Sequence, residues 1–189
     1  APLRIPVCPT NGGLRKNRPT LTSALHAWWQ NPRPTLWFLF ALAVVLFLRK
    51  PHALLTPQLW AEDGSVFLNE QDELGLRAFF TPYMGYLHTL PRIVAWLAAH
   101  LLDPRGWPAF YNGVAFTIWI AVLARFFTAR FDLPHKPWLV LAFLLVPHNG
   151  EIFFNVTNLQ WLTGFVLIQQ TIIAAPRTAV ERAGDLAIL

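Results

Sequence analysis

Residues 137–175, PWLVLAFLLVPHNGEIFFNVTNLQWLTGFVLIQQTIIAA, carry a single formally charged side chain, that of Glu151. Two apolar runs flank the sequence PHNG, which is typical of a turn. We predict a helical hairpin with transmembrane (TM) helices at 137–148 (TM3) and 157–175 (TM4). The outer turn is predicted at 148–156, with Glu151 inside it.

The composition of the whole chain indicates a membrane protein, because 54% of its 189 residues are hydrophobic and 13% are charged. Soluble domains average about 25% charged residues. The formal net charge is +5, but the basic residues lie beside apolar runs and do not cluster with aromatic side chains. We therefore predict an all-α integral membrane protein with no nucleic-acid partner.

Another apolar stretch, residues 34–50, follows a basic and proline-rich segment at 1–33 that has no acidic residue. Such a segment cannot build a core, so we predict a cytoplasmic tail followed by TM1 at 34–50. The alternative is a signal peptide, although the leading segment is long and RKPHALLTP offers no small-residue cleavage site. Residues 107–127, with one charge at Arg125, are predicted as TM2.

The loop at 51–106 contains an amphipathic stretch, YLHTLPRIVAWLAAHLL, at 86–102. Thr89 is a natural N-cap and Pro91 fits only a first turn. A helix from there to the DPRGWP sequence would be about 20 Å long, short of the roughly 30 Å core of a bilayer. We predict an interfacial helix in the headgroup layer. Its predicted apolar stripe, opposite His88 and Arg92, comprises Leu87, Leu90, Val94, Leu97 and Leu101.

This assignment fixes the predicted topology. With the N-terminus inside, the 51–106 loop and the 148–156 turn are both outside, so Glu62, Asp63 and Glu151 share one face. If residues 86–102 did span, Glu151 would lie in the cytoplasm. The last residues, ERAGDLAIL, restart an apolar run, and we expect the chain to be a fragment of a larger multi-pass protein.

The stretch LWAEDGSVFL, at 59–68, places Glu62 and Asp63 side by side before Gly64. Adjacent side chains diverge on a helix or a strand, so the two carboxylates meet only if the backbone turns, as Asp-Gly favours. One carboxylate could then take a proton from an acceptor hydroxyl while the other orients it or holds a divalent cation. The alternative is that Asp63 caps a following helix and Glu62 is solvated.

His88 and Arg92 are spaced i, i+4, and a guanidinium with an imidazole at headgroup depth suits a phosphate. The alternative is nonspecific attraction to anionic lipids. His52 and His100 have no ligand partner at metal spacing and are interpreted as interfacial polar residues. The chain has no Gly-rich phosphate loop and no nucleophile-elbow sequence, so nucleotide-dependent chemistry has no support in the sequence.

The predicted outer turn carries a second polar set. If a helix begins near Glu151, then Glu151, Asn155 and Asn158 fall on one face, which is a donor and acceptor set suited to sugar hydroxyls. Trp161 would form an aromatic wall, and His148 lies beside Glu151. The alternative is capping of the helix end and amide bonds between helices.

The series WAEDG, GYLHTLPR and GEIFFNVTNLQW, with the apolar stretches of residues 34–175, resembles the N-terminal part of GT-C-type integral membrane glycosyltransferases. It is also similar to uncharacterised bacterial polytopic membrane proteins. Members of that superfamily transfer sugars outside the cytoplasm from polyprenyl-phosphate donors. The resemblance implies a bacterial inner-membrane location, Asp63 or Glu62 as base and Glu151 as a second-loop acid. The Glu-Asp pair departs from the D-x-D of many members, which leaves a divalent cation possible but open.

We therefore expect an inverting transfer of a sugar from a polyprenyl-phosphate-linked donor to a glycan or lipid acceptor at the outer face. In this hypothesis Arg92 and His88 stabilise the leaving phosphate, and the sugar is oriented by Glu151, Asn155 and Asn158. A transporter or flippase is the first alternative, although its polar groups should lie within helices between spans. The second is a noncatalytic envelope-assembly protein, in which the acids would be replaceable.

Overall fold

A computed structural model describes residues 32–133, 135–145 and 153–186. Within these ranges every regular element is a helix, apart from an isolated antiparallel bridge between Tyr83 and Tyr86. The α-helices are α1 Pro32–Arg49, α2 His52–Leu55, α3 Asn69–Leu74, α4 Thr89–Leu101, α5 Trp107–Ala124, α6 Lys136–Leu145, α7 Leu159–Ile172 and α8 Ala179–Leu186. A π-helix, Asp63–Leu68, precedes α3, and 3₁₀ helices occupy Gly75–Phe80, Pro104–Gly106 and Arg125–Phe127. The predicted all-α class is confirmed.

Helices α1 and α5 run antiparallel. The ring of Phe38, early in α1, lies 4.2 Å from the ring of Phe127, just after α5. At the opposite end, the side-chain amide of Asn112 donates to the carbonyl of Ala53 at 2.7 Å. Leu42 and Leu46 are spaced i, i+4 and both are buried, so α1 contributes one narrow face to the core.

Helix α7 also runs antiparallel to α5. Phe154, which precedes α7, lies 5.3 Å from Phe116, and Gln169 near the end of α7 donates to the carbonyl of Val122 at 3.0 Å. The bundle has a loop end, which we define as residues 49–63, 102–112 and 153–158. Its arginine end comprises residues 124–136 and 170–186.

Helix α6 completes the bundle through aromatic contacts. The ring of Phe143 stacks on Phe165 of α7 at 4.4 Å and lies 5.9 Å from Trp119 of α5. Rings that meet within about 7 Å add to the burial energy of the core. These contacts hold α5, α6 and α7 together in the middle of the bundle.

One described stretch, Pro104–Phe127 with its 24 residues, is long and apolar enough to cross a membrane. The helices Leu36–Arg49 and Lys136–Leu145 are apolar but shorter. By length, the structure therefore matches predicted TM2 at 107–127. Residues 146–152 lie outside the described ranges, and with them the end of predicted TM3, His148 and Glu151.

Helix α7 is shorter than predicted TM4 at 157–175, because both of its ends form tertiary contacts. Asn158 precedes the first helical residue, and the helix ends before Ile173, whose backbone is extended. The N–H of Ala174 donates to the carbonyl of Arg130 at 2.9 Å instead of continuing the helix. The boundary of α7 is therefore set by pairing with the 125–136 connection.

Helix α4 confirms that the predicted interfacial segment is short, since Thr89–Leu101 has 13 residues. The prediction of Thr89 as the N-cap is wrong: Thr89 is the first helical residue and His88 precedes it without a side-chain cap bond. The predicted apolar stripe is also wrong in part, because Leu87 and Leu101 are exposed. The buried face of α4 comprises Pro91, Arg92, Val94, Ala95 and Ala98, and it shares only Val94 with the predicted stripe.

Candidate functional site at the loop end

The acidic pair lies in a continuous helix and not at the predicted turn. Residues 61–74 are helical throughout, and Asp63–Leu68 form its π-helical part. A π-helix is rare and is frequently found at functional sites, since its wider turns redirect side chains. The carboxylates of Glu62 and Asp63 therefore point in different directions, and each has its own surroundings.

Asp63 is completely buried and joins the first loop to the segment before α7. Its Oδ2 accepts the N–H of Val156 at 3.1 Å. Its Oδ1 accepts both the N–H of Thr157 at 2.9 Å and the Thr157 hydroxyl at 2.6 Å. The alternative prediction that Asp63 caps its own following helix is wrong, because its donors lie more than ninety residues further along the chain.

The pKa of the Asp63 carboxyl is raised, because the cost of burying its charge outweighs the hydrogen bonds from Thr157 and Val156. A raised pKa in the folded state means that this group favours folding less as the pH rises from the ordinary carboxyl pKa to the raised one. A carboxylate with all its near donors inside the fold is better placed to position a backbone segment than to accept a substrate proton.

Glu62 is in a different position. Its side chain is half-buried, and its Oε2 is buried without a hydrogen-bond partner among the described residues. Natural structures rarely leave such an oxygen unsatisfied, so it is a candidate to accept a proton or a ligand hydroxyl. Of the two predicted bases, Glu62 is the one with an oxygen that accepts no donor from the described residues.

A cleft of about 390 Å³ opens at the loop end, and its lining reaches Trp60, two residues before Glu62. It lies between the end of α1, the LWAEDG segment, α5 and the segment before α7. Its polar and aromatic lining includes Lys50, His52, Gln58, Trp60, Asn112 and Asn155. Basic groups, amides and an indole in one concave site are suited to an anionic ligand that carries hydroxyl groups.

Lys50 contacts two other segments of this lining. Its ammonium donates to the carbonyl of Phe153 at 2.9 Å and lies 5.7 Å from the Trp60 ring. Partial burial lowers the pKa of the Lys50 ammonium. The end of α1, the first loop and the segment before α7 therefore meet at one cation.

His88 and Arg92 were predicted to face the headgroups, and that orientation is wrong because both are buried. Arg92 Nη2 lies 2.7 Å from Glu70 Oε2 and donates to the Thr81 carbonyl at 2.6 Å. The guanidinium also lies 5.4 Å from the ring of Phe67. These contacts stabilise the buried charge, and they tie α4 to the segment 67–81.

The His88 ring stacks on Tyr86 at 4.2 Å, and its Nδ1 lies 3.3 Å from the Tyr86 carbonyl oxygen. Burial lowers the pKa of His88, and the positive charge of Arg92 lowers it further. A neutral, buried ring is a poor anion partner. The binding of donor phosphate by His88 and Arg92 stays a prediction, although it was based on exposed side chains and both side chains are buried.

The amides of the predicted sugar-binding set are adjacent but do not lie on a helical face, because α7 begins only at Leu159. Asn155 is buried, and its Oδ1 accepts the N–H of Asn158 at 2.9 Å. Trp161 is largely exposed. Asn155 thus lines the cleft while Trp161 points outward; the predicted partners His148 and Glu151 lie outside the described residues.

The described residues contain no group of three or more His, Cys, Asp or Glu side chains able to hold a divalent cation. Asp63 is buried and accepts three donors from within the fold, which occupy three of the roughly four lone-pair directions of a carboxylate. This donor set does not fit a metal held by the acidic pair, and no step below uses one.

Lys50, Gln58, Trp60 and Asn112 are among the cleft residues that were not singled out from the sequence. Lys50 and Trp60 flank the short α2 segment. A basic and an aromatic residue shortly before two adjacent carboxylates are a pattern in the sequence that could have indicated this site. Asn112 is a weaker indication in the sequence, because it is an amide within a mostly apolar stretch, and in the structure it is buried in α5. His52 was interpreted as an interfacial residue, whereas it lines the cleft.

No protein-family model, no curated protein and no solved structure matches this chain.

Proposed function

We propose that this chain forms the donor-binding part of a membrane glycosyltransferase that takes a sugar from a lipid-phosphate donor. The observation that carries the proposal is the cleft at the loop end, where Lys50 and His52 meet Trp60 and three side-chain amides. The Lys50 ammonium and the His52 imidazole suit a phosphate, the amides suit sugar hydroxyls and the indole suits the apolar face of a sugar ring. Glu62 lies two residues beyond Trp60.

A membrane location is supported by the outward faces of the helices. Leu36, Trp37 and Phe40 of α1 are exposed, as are Trp161 and Ile168 of α7. Contiguous exposed apolar side chains of this size mark contact with lipid or another protein. We propose a multi-pass protein of the bacterial inner membrane with the loop end on the extracytoplasmic side and the N-terminus inside.

In the proposed step, a hydroxyl of the glycan or lipid acceptor attacks the anomeric carbon of the donor sugar. Glu62 takes the hydroxyl proton while the bond between that carbon and the phosphate oxygen breaks. The phosphate leaves with the bonding electron pair, and the configuration inverts. Lys50 and His52 stabilise the charge on the leaving phosphate, which raises the rate only if this contact strengthens in the transition state.

Asp63 acts in this proposal as a positioning residue. It fixes the N–H groups of Val156 and Thr157, next to Phe154 and Asn155 in the cleft wall. Displacing that wall by about 1 Å can cost a factor of a hundred in rate. Substitution of Asp63 would therefore reduce transfer through cleft geometry and not through lost proton transfer.

Glu62→Gln in the full-length protein is expected to reduce sugar incorporation at least 100-fold, the usual contribution of a general base. Membranes containing the protein would be given radiolabelled polyprenyl-phosphate sugars, and label would be counted in glycan and lipid acceptors. Glu73→Gln is the matched control, since Glu73 is an exposed carboxylate on α3, and it should leave incorporation unchanged. Unchanged incorporation in Glu62→Gln would reject the role of Glu62 as base.

Lys50→Met is expected to raise the KM for the donor about tenfold or more, because it removes a cation from a partly desolvated cleft and keeps the length of the side chain. Arg105→Met, at an exposed cation of the same loop, is the control. Initial rates at varied donor concentration separate KM from kcat. An unchanged KM would show that donor phosphate does not bind at this cleft.

A further inference from the structure

Helix α8 at the arginine end has two chemically distinct sides. It spans eight residues, Ala179–Leu186, and successive side chains are rotated by 100°. One side carries Ala179, Val180, Ala183 and Leu186, and the other carries Glu181, Arg182 and Asp185. Such a helix normally buries its apolar side against the protein.

The polar side of α8 meets the bundle through Asp185. Arg130 donates two parallel hydrogen bonds to the Asp185 carboxylate, from Nη1 at 2.9 Å and from Nη2 at 2.6 Å. Gln170 of α7 adds a bond to the same carboxylate at 3.3 Å. Bidentate pairing of this kind fixes orientation as well as distance. It sets which side of α8 meets the bundle.

The first turn of α8 is fixed independently. Glu181 accepts the N–H groups of Arg177 at 2.6 Å and Thr178 at 3.0 Å, and Thr178 Oγ1 accepts the N–H of Glu181 at 3.2 Å. This reciprocal arrangement is a capping box. Asp185 therefore orients α8 on the bundle, while Glu181 stabilises the helix's own first turn.

The apolar side is indeed outward. Val180 is 82% exposed and Leu186 is 71% exposed, and both alanines of that side are exposed as well. The least exposed side chains of α8 are its two acids, Glu181 and Asp185, whereas its apolar side chains and Arg182 are exposed. Exposed apolar side chains on an apolar bundle are typical of a surface that contacts lipid or another protein.

We propose that the apolar side of α8 lies on the lipid at the boundary between headgroups and acyl chains, at the arginine end of the bundle. Exposed Ile168 and Ile172 of α7 precede it and extend the same kind of surface. Arg177 and Arg182 are exposed beside it and suit anionic headgroups. This combination is typical of a helix lying in the membrane interface. The proposal needs a membrane but not the transfer reaction.

The test places a nitroxide label at single cysteines in the full-length protein, after replacing Cys8 by serine. Val180→Cys and Leu186→Cys probe the apolar side, and Arg182→Cys is the matched control on the same helix. The protein is reconstituted in vesicles of phosphatidylcholine and phosphatidylglycerol. Electron paramagnetic resonance then measures collision with oxygen, which concentrates in lipid, and with a water-soluble nickel chelate.

We expect the ratio of oxygen to nickel collisions to be several-fold higher at positions 180 and 186 than at position 182. Nickel access at 180 and 186 equal to that at 182 would mean that water covers the helix, and would overturn the proposal. Low access to both reagents at 180 and 186 would mean that protein covers it, which also overturns the proposal. Monodisperse elution of each labelled variant confirms that the fold is retained.

Discussion

Replacing Glu70 with alanine is expected to lower the free energy of unfolding by about 3–5 kcal/mol, because it leaves a buried guanidinium without a compensating charge. The side chain of Arg92 is 0% exposed and that of Glu70 26%, so water can reach the acid but not the base. The remaining contacts of Arg92, the Thr81 carbonyl and the Phe67 ring, are dipolar or quadrupolar and cannot replace a full charge. Because Glu70 is partly exposed, we expect the lower half of this range.

Unfolding by sodium dodecyl sulfate in mixed micelles, followed by far-UV circular dichroism, would measure this loss. Glu73→Ala on the same helix α3 is the control, and its exposed side chain should cost within about 0.5 kcal/mol. The double variant Glu70→Met with Arg92→Met should recover much of the loss, since both charges leave together. A Glu70→Ala protein as stable as the Glu73→Ala control would contradict the assignment of a buried ion pair.

Asp63→Ala is expected to destabilise the protein by about 2–4 kcal/mol at pH 7, because two buried backbone N–H groups lose a charged acceptor. Removal of the buried charge offsets part of this cost. Since the pKa of Asp63 is raised, the natural protein gains stability relative to the variant as the pH falls from the raised pKa to the ordinary carboxyl value. The difference between the two proteins should therefore grow in that window as the pH is lowered.

Thr157→Val provides a graded comparison, since it removes one donor to Asp63 and keeps both backbone bonds. It should cost about 1 kcal/mol. Asp72→Ala on α3, at an exposed carboxylate, is the control and should have little effect. The same micelle titration, repeated at several pH values, gives all of these quantities. A difference that shrinks as the pH falls would contradict the raised pKa.

The helical class and the shortness of α4 could be predicted, because apolar run length and helix-stop sequences are local signals. The faces of α4 could not, since periodicity treats Arg92 as a polar residue that seeks water. Its burial depends on Glu70, Thr81 and Phe67, which reach it through the fold. A charged side chain can be a core residue when its partners come from another segment, and a single sequence does not reveal such pairing.

The acidic pair could be predicted as a candidate site, but the sequence does not distinguish the role of Glu62 from that of Asp63. Asp-Gly favours a turn locally, whereas residues Asp63–Leu68 are π-helical and Asp63 accepts the N–H groups of Val156 and Thr157. Those donors lie 93 and 94 residues away, beyond the reach of local rules. The cleft was missed for the same reason, because Lys50, Asn112 and Asn155 come from three distant segments.

The 93-residue separation between Asp63 and Val156 has a consequence for biosynthesis. The ribosome releases the acid long before its donors, so α1, α5 and α6 are synthesised before this carboxylate can accept the hydrogen bonds of those donors. The wall of the cleft can form only after the segment before α7 has been made, and it is therefore among the last parts to assemble. A nascent chain arrested before residue 156 would contain α1 to α6 without this wall of the cleft.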